Sequence, residues 1–384
     1  MSKRRVVAAA TVVASLVWAA LPVPSAALQR GPLFGIHDGA VLVTVDPVSG
    51  TEGTVADLST LAFQPVIGPL AAGSQSLMYA VGTYCIPFCP SPHGGGVVYS
   101  EIVTVNSLTA AIHVTPTLVS IIGGGIALDP ATQTLWALTS CPCSTISIVR
   151  VDPTTGAETT VAAMADPLGP ELPQLALDPA SHVLYVATTT NAGGQLLALD
   201  TTTGTMSAGL NLAAPVSSLV YDTSSATLFG VTTGTPEQLA KIDPATGTET
   251  GIATFGANIR IYDAAIDSAS HAVFGVEFDT LNPLVEEIVT VNDQNGAISV
   301  GASMPAGIGY IAFLGRSGAS QSAPSSPAPR GSAAQSSVDS PGTRLPPTTP
   351  LRKETQSKSS SFRAVENDWP TDEQVQIFPV LYLR

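Results

Sequence analysis

Basic residues are scarce in the central part of the sequence. Residues 31–315 contain only Arg150, Lys241 and Arg260, against 23 aspartates and glutamates. Because an acidic surface repels phosphate backbones, this composition disfavours a nucleic-acid partner. Its field favours cations or basic partners instead. Over all 384 residues the formal net charge is −14, and only 11% of residues are charged and 5% aromatic.

Familiar catalytic motifs are also missing. The glycine runs at 94–96 and 123–125 have no lysine nearby, so neither resembles a phosphate-binding loop. No Gly-x-Ser-x-Gly sequence marks a nucleophile elbow. These absences argue against nucleotide phosphate chemistry and against the common serine hydrolase arrangement.

The sequence has one long apolar run, Val6–Leu21, directly after a basic start. Small residues follow at 25–27, as signal peptidase requires, so residues 1–27 are predicted to be a signal peptide. An uncleaved anchor is the alternative. Cleavage would leave no integral membrane segment and a secreted or extracytoplasmic protein, in the periplasm or at the cell surface.

The other end of the chain differs from the middle in composition. From Arg316 to Ser361 it is rich in Ser and Pro and has no apolar periodicity. Such a segment buries too little surface to offset its chain entropy. We therefore expect a disordered tail over 316–384 and a folded domain over 28–315.

The domain contains an internal repeat. An apolar run ends in Asp or Asn, and a turn rich in Pro, Thr or Ser then ends in Gly, as in Asp152-Pro153-Thr154-Thr155-Gly156. Asp caps its own turn, and Gly accepts the left-handed conformation that closes it. The six positions of the Asp or Asn are Asp46, Asn106, Asp152, Asp200, Asp243 and Asn292, of which Asn106 and Asn292 belong to degenerate copies.

A second element alternates with the first. Apolar runs end at Asp129, Asp178, Asp222 and Asp267, and an aliphatic–aromatic pair such as Leu184-Tyr185 follows each of them. Short apolar runs bounded by turn residues are typical of strands, so each unit has four strands, A to D, joined as a meander. Such a unit of about 45 residues, present six times, predicts an all-β fold, a β-propeller of six four-stranded blades.

The two ends of the domain are expected to meet. Leu33–Ile36 matches a strand B, and Ile308–Phe313 resembles a strand A with nothing after it. Pairing of these two segments would complete blade 1 and remove an exposed edge. The predicted blades are 33–66 with 305–314, 67–118, 119–165, 166–212, 213–256 and 257–304.

The segments Leu184–Thr189 and Leu197–Gly204 resemble the repeats of secreted bacterial propellers of the YVTN type and of quinoprotein-like propellers. The resemblance implies the propeller fold. Quinoprotein dehydrogenase repeats carry a Trp four residues after the turn Gly, where this chain has Thr54, Thr160, Ala208 and Gly251. This departure disfavours a quinone cofactor.

The meander determines which loops share a face. The A–B and C–D turns lie on one rim, where the repeated Asp residues are expected to cap turns; calcium coordination there is the alternative. The B–C loops and the blade connections lie on the other rim, where propellers usually bind ligands. The polar candidates on that rim are His37, Asp38, His93, Glu171, Glu237, Arg260, Asp263, Glu277 and Asp279.

Four cysteines form two clusters at equivalent B–C positions of neighbouring blades, Cys85 with Cys89 and Cys141 with Cys143. In an exported protein such cysteines indicate disulfides, either within the first cluster or between the blades. A four-cysteine zinc site and free thiols are the alternatives.

No convergent catalytic signature accompanies the repeat. We therefore expect an exported, monomeric, non-catalytic scaffold that needs no cofactor and binds a protein or small-molecule ligand on the B–C face. One alternative is a metal-dependent, lactonase-like hydrolase or lyase that uses His93 with carboxylates. Another is a cell-surface structural protein tethered by its tail. The fold alone does not decide among them.

Overall fold

A computed structural model of the chain describes residues 31–61, 66–73, 76–86, 97–139, 145–165, 173–190, 193–305 and 307–315. The predicted signal peptide, 1–27, and the predicted tail, 316–384, lie outside these ranges. All of the described residues belong to one unit. In these ranges we find no helix with the length and apolar character that crossing a membrane demands.

The first three blades follow one another along the chain, each as an antiparallel sheet. Blade 1 contains β1 (Leu33–His37), β2 (Val41–Val45) and β3 (Glu52–Asp57). Blade 2 contains β4 (Val66–Ala72), β5 (Leu77–Ile86), β6 (Val97–Asn106) and β7 (Ile112–Val114). Blade 3 contains β8 (Ile122–Asp129), β9 (Thr134–Thr139), β10 (Thr145–Val151) and β11 (Glu158–Ala165).

The remaining blades continue the same meander. Blade 4 contains β12 (Gln174–Asp178), β13 (Val183–Thr190), β14 (Gly193–Asp200) and β15 (Leu210–Asn211). Blade 5 contains β16 (Val216–Asp222), β17 (Thr227–Thr232), β18 (Gln238–Ile242) and β19 (Glu249–Thr254). Blade 6 contains β20 (Ile259–Asp267), β21 (Ala272–Asp279), β22 (Asn282–Asn292), β23 (Ile298–Val300) and the short β24 (Met304–Pro305), which pairs with β22.

The last strand, β25 (Ile308–Phe313), closes the ring as predicted. It pairs antiparallel with β1, with Leu33 opposite Phe313 and Gly35 opposite Ile311. Blade 1 thus has the order β25-β1-β2-β3, and the fold is the predicted six-bladed β-propeller. Val66 begins β4, so blade 2 starts one residue earlier than the sequence indicated.

The repeated turns have the geometry that their residue types require. In the first, Oδ1 of Asp46 accepts hydrogen bonds from the backbone N–H groups of Val48 and Ser49, at 2.8 and 3.1 Å. These bonds favour the carboxylate and hold the pKa of Asp46 below its usual range. Gly50 closes the turn at φ +64°, where a β-carbon would be strained. The same hydrogen bond, from the backbone N–H two residues later to the side-chain Oδ1, recurs at Asn106, Asp152, Asp200, Asp243 and Asn292.

The hydrophobic core consists of six clusters, each between two neighbouring blades. The cluster between blades 6 and 1 joins Phe274 and Ile288 to Leu33 and Phe313. Clusters of the same kind join each of the five remaining pairs of neighbouring blades. Each blade is therefore stabilised mainly by contacts with its two neighbours.

Candidate functional site

The meander gives each blade two functionally different ends. The A–B and C–D turns form one end of the ring, here called the turn face. The B–C loops and the connections between blades form the other, the B–C face. On the turn face the Asp residues of the A–B turns are caps; Asp178, for example, accepts hydrogen bonds from the N–H of Ala180 at 3.0 Å and from Oγ of Ser181 at 2.5 Å.

The innermost strands surround a central channel that contains one of the predicted carboxylates. A cavity of about 230 Å³ is lined by small and large apolar residues of these strands, together with Gln174, Tyr262, Tyr310 and Asp263. Oδ1 of Asp263 accepts a hydrogen bond from the N–H of Ala264 and Oδ2 one from the N–H of Ile311, both at 2.9 Å. Asp263 thus connects blade 6 to the closing strand.

Enclosure within the channel affects the charge of Asp263. Its side chain is partly accessible to the cavity but surrounded by the inner strands, and the resulting desolvation raises its pKa to about 7. The two backbone hydrogen bonds and one from Ser218 act in the opposite direction. A carboxyl group with this pKa can exchange a proton near neutral pH.

Glu237 and Arg260 lie together between blades 5 and 6. Glu237 is only 4% exposed, and its Oε1 is 3.1 Å from Nη1 of Arg260. Its Oε2 accepts a hydrogen bond from the N–H of Ile261 at 2.8 Å, and Arg260 also donates to the carbonyl of Gly234 at 2.6 Å. These contacts hold the B–C loop of blade 5 against β20.

His37 ends β1 and Asp38 follows it, at the junction of blades 1 and 6. Nδ1 of His37 is 2.7 Å from Oε2 of Glu52, and its Nε2 is 3.4 Å from Oδ2 of Asp38. Nearby, Oε2 of Glu286 accepts hydrogen bonds from two backbone N–H groups, those of Gly307 at 3.1 Å and Ile308 at 2.8 Å. Burial raises the pKa of Glu286. This group joins the two blades at the point where the ring closes.

Glu277 and Asp279 lie at the end of a hairpin, β21–β22, whose pairing continues to Asp279 and Asn282. Glu277 is largely buried opposite Glu287. Desolvation, followed by the negative charges of Glu287 and Asp279, raises the pKa of Glu277 to about 7. Three carboxyl groups therefore share one small region of the B–C face.

Two stacked aromatic rings lie at the same end of blade 6. Tyr262 and Phe278 have ring centroids 4.3 Å apart and planes inclined by 8°. Tyr262 is 49% exposed and Leu281, at the hairpin tip, is 75% exposed. We call this region, Tyr262 with Glu277–Leu281 and Glu287, the blade 6 rim. Sequence analysis did not single out its apolar members, although an aromatic between two acids (Glu277-Phe278-Asp279) is unusual in a chain that has few aromatics.

The remaining predicted positions lie outside the described residues. These are His93, Glu171, Cys89, Cys141, Cys143 and the side chain of Cys85. The disulfide and catalytic hypotheses that use them stay predictions. In the described part of the chain, one group places three His or carboxylate ligand atoms within 4.8 Å of one another, namely Asp222, His271 and Asp293 on the turn face. None of the candidates predicted for the B–C face belongs to this group, whereas Asp222 is one of the repeated turn residues for which calcium was the alternative.

Comparisons with known proteins agree with the fold. Residues 124–275 match a family model described as a repeat of unknown function, DUF6923. A search of curated proteins found no relative. The structure is similar to TolB from Acinetobacter baumannii, with a TM-score of 0.55 and 12% identity over 74% of this chain and 67% of that one. It is also similar to a chain of a nidogen–laminin complex, with a TM-score of 0.52 and 13% identity over 74% of this chain and 98% of that one. The chain is a β-propeller repeat protein.

Proposed function

We propose that this protein is an exported, non-catalytic β-propeller that binds a basic segment of another protein through the blade 6 rim. The observation that carries the proposal is the combination, at one place on the B–C face, of exposed apolar side chains with three carboxyl groups. Tyr262 and Leu281 provide the apolar contact area. Glu277, Asp279 and Glu287 provide negative charge at the same end of the blade, with Glu277 and Glu287 on the opposite side of the sheet from Phe278.

The chemistry of the rim selects the partner. Lysine and arginine side chains place a cation over an aromatic face while their methylene stems cover apolar surface. The stacked rings of Tyr262 and Phe278 offer such a face to one basic side chain, and the carboxylates on the other side of the sheet pair with a second one. The scarcity of basic residues in 31–315 adds to the preference for a basic partner, because the whole domain attracts positive charge.

The raised pKa of Glu277 supports a surface whose negative charges are neutralised when its partner binds. A cation held between Glu277, Glu287 and Asp279 would relieve the repulsion among the three carboxyl groups. Binding should therefore ionise Glu277 and release a proton at pH 6 to 7. The structural similarity to a chain of a nidogen–laminin complex is consistent with a propeller used in protein assembly.

Binding can be tested with fluorescent peptides and fluorescence anisotropy. A short lysine–leucine peptide should bind at low salt, bind less tightly as salt is added, and outcompete a glutamate–leucine peptide. Combining Glu277→Gln, Asp279→Asn and Glu287→Gln should weaken binding about tenfold, as expected for the loss of several charge pairs with the peptide. Tyr262→Ser should weaken it further.

The matched control is Leu108→Ser, because Leu108 is 83% exposed on the turn face. This variant should bind the lysine–leucine peptide like the parent protein. Equal affinity for the two peptides, or equal loss in the control and the rim variants, would refute the proposed rim.

Export has its own test. Mass spectrometry of the protein recovered outside the cytoplasm should give a chain that begins at Leu28, and denatured protein should show no free thiol from its four cysteines. An N-terminus at Met1 or four free thiols would contradict export through an oxidising compartment. The hydrolase alternative depends on His93 with carboxylates from Glu171, Asp263, Glu277 or Asp279, and it stays a prediction. The cell-surface alternative predicts envelope association that is lost when 316–384 is deleted.

A further inference from the structure

Blades 5 and 6 meet on the turn face at a histidine placed between two aspartates. Asp222 ends β16, His271 immediately precedes β21, and Asp293 lies in the C–D turn of blade 6. Nδ1 of His271 is 3.4 Å from Oδ2 of Asp222 and 3.4 Å from Oδ1 of Asp293. The two aspartate side chains are fully buried, whereas the histidine side chain is 38% exposed.

These distances are long for hydrogen bonds between charged groups, which measure about 2.7–2.9 Å. They agree with ligand atoms arranged around a metal ion. In a tetrahedron with ligands at about 2.0–2.1 Å from zinc, neighbouring ligand atoms are about 3.3 Å apart. The histidine therefore lies at the spacing of a zinc ligand from each carboxylate, and all three ligand atoms lie within 4.8 Å of one another.

Asp293 provides an independent indication of a missing ligand. Its Oδ1 accepts a hydrogen bond from Nε2 of Gln294 at 2.9 Å, but its buried Oδ2 has no hydrogen-bond partner. A buried carboxylate oxygen without a partner is costly, and here the negative charge of Asp222 is close as well. Asp222 is held in place by the N–H of Ser224 at 2.8 Å and Oγ of Ser225 at 2.6 Å. A cation that contacts both oxygens of Asp293 would satisfy Oδ2 and offset the charge of both aspartates.

The repeat shows that this arrangement is particular to blade 6. Where blade 6 has Asp293, the other copies of the C–D turn have Pro47, Ser107, Pro153, Thr201 and Pro244. Blade 4 is the informative comparison, because His182 occupies the position of His271. The N–H of Thr201 donates to the carbonyl of His182 at 2.8 Å, as that of Asp293 does to His271 at 3.0 Å. Blade 4 thus has the same local backbone with a hydroxyl in place of the carboxylate.

We propose that Asp222, His271 and Asp293 bind a divalent transition-metal ion, with Zn²⁺ as the best match, and that the ion links blade 5 to blade 6. An imidazole nitrogen with two carboxylate oxygens is a ligand set suited to zinc, whereas calcium takes six to eight oxygen ligands. The partial exposure of His271 leaves a path for the ion and a coordination position for water.

The test is a zinc titration of the mature chain, 28–384, after removal of metals with a chelator and alkylation of any free thiols. Competition with a chelating dye should show one equivalent of Zn²⁺ per chain. Asp293→Asn and His271→Gln should each weaken this binding about 100-fold or more. The matched control is His182→Gln, which should bind zinc like the parent protein.

A second measurement separates metal binding from damage to the fold. The parent and all three variants should have similar circular dichroism and thermal midpoints in the presence of chelator. Zinc should then raise the midpoint of the parent and of His182→Gln, and leave those of Asp293→Asn and His271→Gln unchanged. The proposal is overturned by a parent chain that takes up no zinc, by zinc uptake that both site variants retain, or by binding of calcium in preference to zinc.

Discussion

Replacing Glu277 by glutamine should make the domain more stable above neutral pH and leave its stability unchanged in acid. The carboxyl group is largely buried and lies among like charges. The glutamine side chain has nearly the same shape but no charge to desolvate. The comparison therefore isolates the free energy of ionising Glu277 inside the folded protein.

The size and the sign both follow from the pKa. Folding raises the pKa of Glu277 from its ordinary value of 4.5 to about 7. Below pH 4.5 the group is protonated in both states and contributes no difference. As pH rises from 4.5 to 7 the unfolded chain releases its proton while the folded protein keeps it, so the parent loses stability relative to the variant. Above pH 7 the difference should level off at about 3 kcal/mol, an upper value because relaxation and solvent reduce it.

Urea unfolding followed by circular dichroism at several pH values between 4 and 8 measures this difference directly. Glu287→Gln is the companion variant, because it removes one of the charges that repel Glu277. It should give only part of the gain in the free energy of unfolding that we expect for Glu277→Gln. The reasoning is refuted if the stability of Glu277→Gln follows that of the parent at every pH.

Four further changes test the fold. Ala110→Gly should raise the free energy of unfolding by about 0.5–1 kcal/mol, since Ala110 has φ +56° where most other copies have glycine. Gly296→Ala should lower it by more than 1 kcal/mol, because φ is +70° and the new β-carbon would overlap a carbonyl oxygen of the preceding blade. Phe313→Ala should cost about 3–5 kcal/mol by removing a ring from the closing strand, with unfolding midpoints as the readout. Arg260→Met should cost about 1–3 kcal/mol, since it removes the cation beside the buried Glu237, with Arg260 itself 37% exposed; a double variant with Glu237→Gln should recover part of the loss.

The fold was predictable because the pattern that predicts one blade occurs six times in the sequence. Each copy pairs an apolar run of strand length with a turn whose residues have defined backbone preferences. The turn at Asp152 shows the logic: its side chain accepts a hydrogen bond from the N–H of Thr154 at 2.8 Å, and Gly156 takes φ +71°. Closure was predictable too, because Leu33–Ile36 and Ile308–Phe313 each matched a strand without its neighbour.

The sites were less predictable, because they depend on contacts between blades. Glu237 and Arg260 were both candidates from their loop positions, yet nothing in the sequence indicated that they bind each other. His37 was a candidate as well, but nothing in the sequence indicated its 2.7 Å contact with Glu52, which is 15 residues away. Sequence position identifies the face on which a polar residue lies. It does not determine whether a neighbouring blade supplies that residue with a partner.

The degenerate copies of the turn show what departures from the repeat mean. At Asn106 the turn keeps its hydrogen bonds, and Ala110 takes the left-handed conformation that glycine has elsewhere, so this departure costs stability without adding a group. At Asn292 the turn also keeps its hydrogen bonds, but the next residue is Asp293, whose carboxylate faces a histidine and a second aspartate. Degeneracy alone therefore does not indicate a site. A change from the repeat indicates a site when the new side chain can bind a ligand and the adjoining blade provides further binding groups. Asp293 meets this condition.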